Sequence, residues 1–168
     1  MIVSRPTPFP HSRVMTNNQN LCYKTVHSLS ELIRAKKVSP VELFHAYLDR
    51  ITTTDTALNS FISYPGEEAL KEAELAETEI VQGHYRGPLH GIPVGLKDLF
   101  YVKGIRNTAG SKIFDKFVPS YDSTVAALLR SAGAVLMGKL NLHQFAFGPT
   151  GLNEHYGDMH NPWDVERL

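Results

Sequence analysis

The sequence predicts an α/β fold, in which helices and strands alternate along the chain. The predicted order is two helices, a strand, a helix, a strand, a helix and a strand. The last three elements have the arrangement of a βαβ unit, so the sheet is expected to be parallel at that point. The 168 residues are 42% apolar and 20% charged, which is ordinary for one globular domain.

The first two predicted helices begin at capping residues. A short helix containing Leu32 and Ile33 is expected to begin at Ser28 or Ser30. The second begins at Ser39-Pro40-Val41-Glu42, which combines a capping serine, a proline at the first helical position and a capping-box glutamate. Its apolar stripe is formed by Val41, Phe44, Leu48 and Ile51. Both helices are interpreted as packing elements.

A strand over 57–64 and a charged helix over 67–82 follow. Pro65-Gly66 ends the strand, and Gly83 ends the helix. The acidic residues of this helix are interpreted as a solvated face and not as a metal site.

The βαβ unit comes next. Val94-Gly-Leu96 predicts its first strand, and Asp122-Ser-Thr-Val125 predicts the beginning of its helix. That helix runs to Ala132, with Gly133 as its left-handed stop. The second strand is predicted over Ala134-Val-Leu-Met137, and the glycine-rich sequence after it lies where α/β proteins bind ligands.

Composition narrows the class of protein. The formal net charge is zero, which gives no reason to expect nucleic acid or an anionic membrane as partner. No apolar run approaches the ~20 residues of a membrane span. The single cysteine, Cys22, cannot form an intramolecular disulfide, which suits a cytoplasmic location.

The first 24 residues are expected to lie outside the folded domain. They are rich in Pro, Asn and Ser and have neither the apolar core of a secretory signal nor an amphipathic pattern. They are interpreted as disordered. The alternative is that translation starts at Met15, so that residues 1–14 are not part of the protein.

One lysine stands out. In Gly91-Ile-Pro-Val-Gly-Leu-Lys-Asp-Leu-Phe100, Lys97 ends a short apolar run. A lysine in an apolar setting loses solvation of its ammonium form, so its neutral amine becomes available as a base. The alternative from spacing alone is that Lys97 pairs with Asp98 or extends to the surface.

Six sequence blocks together resemble the amidase signature family, over roughly residues 29–167. They are Gly87-Pro-Leu-His-Gly-Ile-Pro-Val-Gly-Leu-Lys-Asp98, Thr108-Ala-Gly-Ser111, Tyr121-Asp-Ser-Thr124, Ala132-Gly-Ala-Val135, Gly138-Lys-Leu-Asn141 and Asn161-Pro-Trp-Asp164.

The resemblance implies a mixed sheet between helices and a serine–serine–lysine mechanism. Lys97 matches the lysine that acts as base and then as acid, through an intermediate serine held by a cis peptide bond. A second serine attacks the amide carbon and forms an acyl-enzyme, which water or another nucleophile cleaves. Backbone N–H groups of a glycine-rich loop would stabilise the oxyanion.

Both family serines lie in a Gly/Ser-rich segment that follows the Asn-Pro-Trp block. Residues 25–168 are therefore interpreted as the N-terminal portion of an amidase domain, incomplete at its C-terminus and inactive alone. The serines at 111, 123 and 131 match other positions. Ser111 is expected in a turn, Ser123 in a helix first turn and Ser131 at a helix end.

The resemblance also places two substrate-binding residues, Ala146 and Phe147, near the substrate carbonyl. The alternative is that Phe145 and Phe147 are core aromatics. Leu140 and Gln144 depart from the threonine and the acidic residue common in the family. These two departures bear on substrate preference more than on reaction type.

No metal and no cofactor are expected. A cluster of His143, His155, His160 and Asp158 is conceivable, but its spacing matches no familiar ligand pattern. The chain also lacks a Walker loop and a dinucleotide fingerprint.

Three functions remain open. The first is an amidase that hydrolyses a small linear or aryl amide in the cytoplasm. If this protein self-associates, a homodimer is expected. The second is the A subunit of a tRNA-dependent amidotransferase, whose amidase half feeds ammonia to a partner subunit. The third is a short, non-catalytic binding or dimerisation module.

Overall fold

The computed structural model describes residues 18–64 and 66–168. The fold is mixed α/β, as predicted. Five helices and three strands occur in this order: α1 Asn18–Leu21, α2 Val26–Arg34, α3 Pro40–Leu58, β1 Phe61–Ser63, α4 Gly66–Val81, β2 Pro93–Lys97, α5 Thr124–Ser131 and β3 Val135–Leu140. Two short 3-10 helices, Lys112–Phe114 and Gln144–Ala146, lie in the loops that follow β2 and β3.

The sheet is mixed, with strand order β1-β3-β2. β2 and β3 are parallel and α5 connects them, which confirms the predicted βαβ unit. β1 pairs antiparallel with the other side of β3. Within the part of the chain that the structure describes, β3 is therefore the central strand.

Helices cover both faces of this sheet. On one face, Phe44 of α3 and Ala69 and Ala73 of α4 pack against Val135 and Met137 of β3. Leu136, whose side chain points the other way, packs with Leu96, Val102 and Ala126 of the α5 side. Two faces each covered by helices give the expected sheet between helices.

The helix beginnings follow local chemistry. Ser39 caps α3 by accepting a hydrogen bond from Glu42 N, and Pro40 occupies the first turn, as predicted. For α2 the predicted caps, Ser28 and Ser30, are wrong. Thr25 is the cap, because its hydroxyl accepts from Ser28 N.

The end of α3 differs from the prediction. The helix continues to Leu58, so the strand predicted from residue 57 is reduced to Phe61–Ser63. Within this longer helix, three threonines, 52–54, bond their hydroxyls back to helix carbonyls. Asn59 then ends the helix in the left-handed conformation.

The acidic helix α4 is less solvated than expected. Glu72 accepts a hydrogen bond from Leu136 N at 2.8 Å and lies 3.3 Å from Arg130. Glu79 pairs with Arg86 and also contacts the buried ring of His90. These two carboxylates tie α4 to the βαβ unit.

The predicted extension 1–24 falls largely on residues 1–17, including Met15, which lie outside the described residues. Its last part includes α1, whose Leu21 packs in a core cluster with α2 and α3. Among residues 18–64 and 66–168, no helix combines the length and the apolar content that a membrane crossing needs.

Candidate active site

The predicted site residues lie around the carboxyl ends of β2 and β3. Because the two strands are parallel, they end at the same edge of the sheet. Lys97 is paired in register with Leu140, and Leu96 with Lys139. The loops that follow both strands therefore begin side by side.

Lys97 is exposed at the end of β2. Its ammonium makes no hydrogen bond or ion pair with the residues that the structure describes. The apolar surroundings expected from the sequence are not formed by this part of the fold. Of the two forms of the alternative, the pairing with Asp98 is not formed, because Asp98 is engaged elsewhere, whereas Lys97 does lie at the surface of the described residues.

The buried lysine of this edge is Lys139, which is 1% exposed. All three of its N–H donors are used. They bond to Asp98 Oδ1 at 2.8 Å, to the Phe100 carbonyl at 2.8 Å and to Asn107 Oδ1 at 2.6 Å. Burial lowers the pKa of Lys139, while the hydrogen bond and the charge of Asp98 act in the opposite direction.

Asp98 makes six hydrogen bonds with other described residues. Its carboxylate binds Lys139 through Oδ1 and, through Oδ2, both the backbone N–H and the hydroxyl of Thr108, at 2.7 and 2.5 Å. Its backbone N–H donates to the Leu140 carbonyl, and its own carbonyl accepts from Ala109 N and from Asn107 Nδ2. Asp98 is itself fully buried, so this residue fixes the chain immediately after Lys97.

Strained backbone surrounds this junction. Ala109, Phe145 and Ala146 have φ values of 52°, 55° and 54°, in the left-handed region that residues with a Cβ rarely occupy. Phe145 N donates to the Ala109 carbonyl, and Ala109 N donates to the Asp98 carbonyl. Such conformations persist where the surrounding contacts hold them, and they concentrate at functional sites.

The structure places the predicted substrate-binding residues on the loop after β3. Ala146 is half-buried at the end of the second 3-10 helix, and Phe147 follows with 92% of its surface exposed. Phe145 is 46% exposed, so neither phenylalanine belongs to the core of the described residues. The backbone bonds of Ala109 and Asp98 connect this loop to the end of β2 at Lys97.

Ser111, Ser123 and Ser131 have the structural roles expected of them. Ser111 is buried and caps the first 3-10 helix, while its hydroxyl accepts from Gln144 Nε2 at 2.8 Å. Ser123 is the cap of α5, and Ser131 is its last residue. Gln144, one of the two departures from the family pattern, thus links the two loops.

The residues of the conceivable metal cluster each engage a different partner. His143 contacts the Thr150 hydroxyl, His155 the Glu154 carboxylate and His160 the Val165 carbonyl. Asp158 accepts from Asn153 N. Among the described residues, no group of three or more potential ligands is arranged to hold a metal ion.

Sequence reasoning missed the importance of Lys139, Asn107 and Thr108. A signal was present, since Lys139 follows the apolar run Ala134-Val-Leu-Met-Gly138 just as Lys97 follows its own apolar run. It also missed three asparagines that hold the loop around residue 157 against the strand ends: Asn59, Asn141 and Asn153.

Comparison with known proteins gives a consistent result. The family model described as Amidase matches residues 42–168. The A subunit of glutamyl-tRNA(Gln) amidotransferase from Geobacter sp. (strain M21) is 47% identical over 141 residues, covering 84% of this chain and 29% of its own length. The same subunit from Coxiella burnetii (strain RSA 493 / Nine Mile phase I) is 43% identical over 145 residues, covering 86% and 30%.

Solved structures share the fold. Peptide amidase from Stenotrophomonas maltophilia superposes with a TM-score of 0.79 at 34% identity, over 85% of this chain and 31% of that one. Fatty acid amide hydrolase gives a TM-score of 0.84 at 25% identity, over 90% and 27%. The chain spans about three tenths of the length of the curated relatives it matches. With its sequence blocks, its sheet between helices and these matches in agreement, the chain belongs to the amidase signature family.

Proposed function

We propose that this chain supplies the lysine-bearing part of an active site that cleaves the C–N bond of a carboxylic amide. Lys97 is the general base. The observation that carries the proposal is its position: an exposed amine without an ion-pair partner among the described residues, at the carboxyl edge of a parallel strand pair. Strained loops at Ala109 and Phe145 flank the same edge.

The chemistry is that of the serine–serine–lysine mechanism. Lys97 accepts a proton through the intermediate serine while the second serine attacks the amide carbon. The proton then passes to the leaving amine, the C–N bond breaks, and an acyl-serine ester remains. Water or another nucleophile cleaves that ester. Ala146 and Phe147 line the acyl side of the site.

A polypeptide of these 168 residues is inactive alone. Its serines at 111, 123 and 131 serve as caps and as a helix end, so none is free to act as the nucleophile. Amide turnover by the purified 168-residue chain, abolished by Lys97→Ala, would contradict this.

The two functions differ in the fate of the ammonia that amide cleavage releases. The hydrolase alternative is supported by the 34% identity to peptide amidase. The amidotransferase alternative, in which released ammonia passes to a partner subunit, is supported by the 43–47% identity to the A subunits of glutamyl-tRNA(Gln) amidotransferases. The higher identity favours the second. Ammonia transfer to glutamyl-tRNA that depends on an added partner subunit would establish it, whereas hydrolysis without that subunit would establish the first.

The substrate is a small-molecule amide in either case, and the site of action is the cytoplasm. The free thiol of Cys22 supports a reducing compartment. Light scattering tests the homodimer. It also tests the non-catalytic module, because a monodisperse 168-residue chain that melts cooperatively would favour that function.

The function itself is tested in a chimera. In the A subunit from Geobacter sp. (strain M21), the matching 141 residues are replaced by those of this chain, and amidase turnover is measured. We expect Lys97→Ala to lower kcat by at least about 1,000-fold, because an unactivated serine is a weak nucleophile. Lys103→Ala, which removes another exposed lysine, should leave kcat unchanged. A soluble chimera whose kcat is insensitive to Lys97→Ala would contradict the proposal.

A further inference from the structure

The buried pair Lys139–Asp98 takes no part in the chemistry proposed above, although it is next to Lys97 in both sequence and space. We propose that Lys139 and Asp98 are positioning residues, which fix the direction of the Lys97 side chain and the two strained loops beside it. The catalytic meaning of this inference rests on the proposed function. The effect of the pair on the Lys97 side chain and on the loops does not depend on the proposed function.

The first step is the pleat of the strand. Successive side chains of a strand point to opposite faces. At the end of β2, Leu96 and Asp98 are buried and Lys97 between them is exposed. Because the Asp98 carboxylate is held inside by Lys139 and Thr108, Lys97 is held on the other face.

The second step concerns charge. A buried carboxylate without a partner is strongly unfavourable, so Asp98 needs a cation or a proton. Lys139 supplies the cation and has no donor left for any other group. Without Lys139, the uncompensated Asp98 carboxylate would turn out of the interior toward solvent, where it can reach the neighbouring Lys97 and stabilise its ammonium form. Lys139 therefore keeps Lys97 apart from the acid beside it.

The third step extends the effect to the loops. The Asp98 carbonyl accepts from Ala109 N, and the Ala109 carbonyl accepts from Phe145 N. Asn107 joins the pair from the same loop, since its oxygen accepts from Lys139 and its amide nitrogen donates to the Asp98 carbonyl. The buried ion pair thus connects the end of β2 at Lys97 to the loop that carries Ala146 and Phe147.

The test uses the chimera described above and two readouts that need no turnover. The first is the pH profile of acetylation of Lys97 by a succinimidyl ester, resolved by peptide mass spectrometry. The second is the hydrogen exchange of the Ala109 and Phe145 amides. For Lys139→Met we expect the midpoint of the acetylation profile to rise by at least about half a pH unit, since Asp98 is freed to pair with Lys97. Exchange at both amides should accelerate at least about tenfold.

Two variants serve as controls. Asp98→Asn combined with Lys139→Met removes both charges, and the acetylation profile should return to that of the parent. Met137→Ala destabilises β3 on its other face without touching Asp98. It should leave the profile unchanged. The inference is overturned if Lys139→Met alters the profile and the exchange no more than Met137→Ala does.

A milder variant covers the case in which Lys139→Met does not fold. Thr108→Val keeps the side-chain shape and removes the hydroxyl, which donates to Asp98 and accepts from Gly110 N. It should shift both readouts in the same direction by a smaller factor, and a folded Thr108→Val chain without any shift overturns the inference. An inactive chimera with the expected labelling response would reject the proposed function and leave the positioning pair standing.

Discussion

Two lysines at one edge of the sheet differ in almost every respect. Lys97 ends β2, is exposed and has no ion-pair partner among the described residues. Lys139, near the end of β3, is 1% exposed and uses all three of its donors. Both follow apolar runs of similar length, so the local sequence does not explain the difference.

The difference follows from the place of each strand in the sheet. β3 lies between β1 and β2, whereas β2 has one neighbour among the described strands. A side chain on a central strand is covered by elements on both sides, and a lysine there must find buried acceptors. The lysine proposed to do chemistry is therefore the one without a partner among the described residues, and the paired lysine supports it.

The largest expected difference is between the stabilities of two variants, each of which lacks one of the two lysine amines. Lys139→Met leaves Asp98 buried without a cation, which should lower the free energy of unfolding by about 3–5 kcal/mol. Lys97→Met, at an exposed site, should change it by less than about 0.5 kcal/mol. Urea denaturation of the two variants measures both values.

Neutralising the pair should restore most of this loss. With Asp98→Asn added to Lys139→Met, no charge remains to be compensated, and such replacements are often neutral. Equal losses for Lys97→Met and Lys139→Met would remove the contrast between the two lysines.

The glycines that precede the two lysines provide a second, smaller test. Gly138 has a φ of 147°, and a Cβ there would lie 2.5 Å from the Ser63 carbonyl oxygen of β1. Gly138→Ala should cost about 2 kcal/mol or more, since backbone must move and the conformation is strained. At Gly95 an added Cβ meets the flexible Leu140 side chain at 2.9 Å, so Gly95→Ala should cost less. A reversed order in urea denaturation would show that β1 can yield at Gly138.

A third test concerns the buried imidazole of His90. His90 precedes β2, is fully buried, and has a pKa lowered by burial, although Glu79 acts against the shift. The folded state therefore binds fewer protons than the unfolded state below the unfolded pKa of about 6.5, and stability falls as pH falls through that range. His90→Gln should flatten the pH dependence of the unfolding free energy between about pH 7.5 and 5.5, measured by urea denaturation.

The exposed His84 provides the matched control. His84→Gln should retain the full loss of stability. Glu79 also has a lowered pKa, for which the Arg86 hydrogen bond is the main cause, but its contribution is lost at a lower pH. A pH dependence that survives His90→Gln unchanged would assign the loss over that pH range to other groups.

At Phe147 the expected effect on stability is as small as at Lys97. Because 92% of its surface is exposed, Phe147→Ser should change the free energy of unfolding by less than about 0.5 kcal/mol. In the chimera the same substitution should raise KM, since Phe147 is proposed to line the acyl side of the site. A large loss of stability with an unchanged KM would instead make Phe147 a packing residue.

Local chemistry predicted much of the fold. Ser39, Pro40 and Glu42 specified the beginning of α3, and Gly133 ended α5 where expected. The predicted beginning of β1 at residue 57 was wrong because α3 continues to Leu58 and ends at the left-handed Asn59. Ala57 and Leu58 suit a helix as well as a strand, so their local pattern does not fix where α3 ends.

The site was predictable only in part. The resemblance identified Lys97, Ala146 and Phe147, and their roles stay predictions. Lys139 was missed because its burial depends on strand order, and strand order depends on the pairing of β3 with β1, which lies far upstream in the sequence. No local pattern contains that pairing.

The most direct test of the central claim is acylation of the chimera. Mixing it with a p-nitroanilide substrate and measuring intact mass at early times follows the acyl-serine itself. We expect the acyl adduct to form in the parent chimera and in Lys103→Ala, and to form at least about 100-fold more slowly in Lys97→Ala. Acylation of Lys97→Ala at the parent rate would show that Lys97 is not the base.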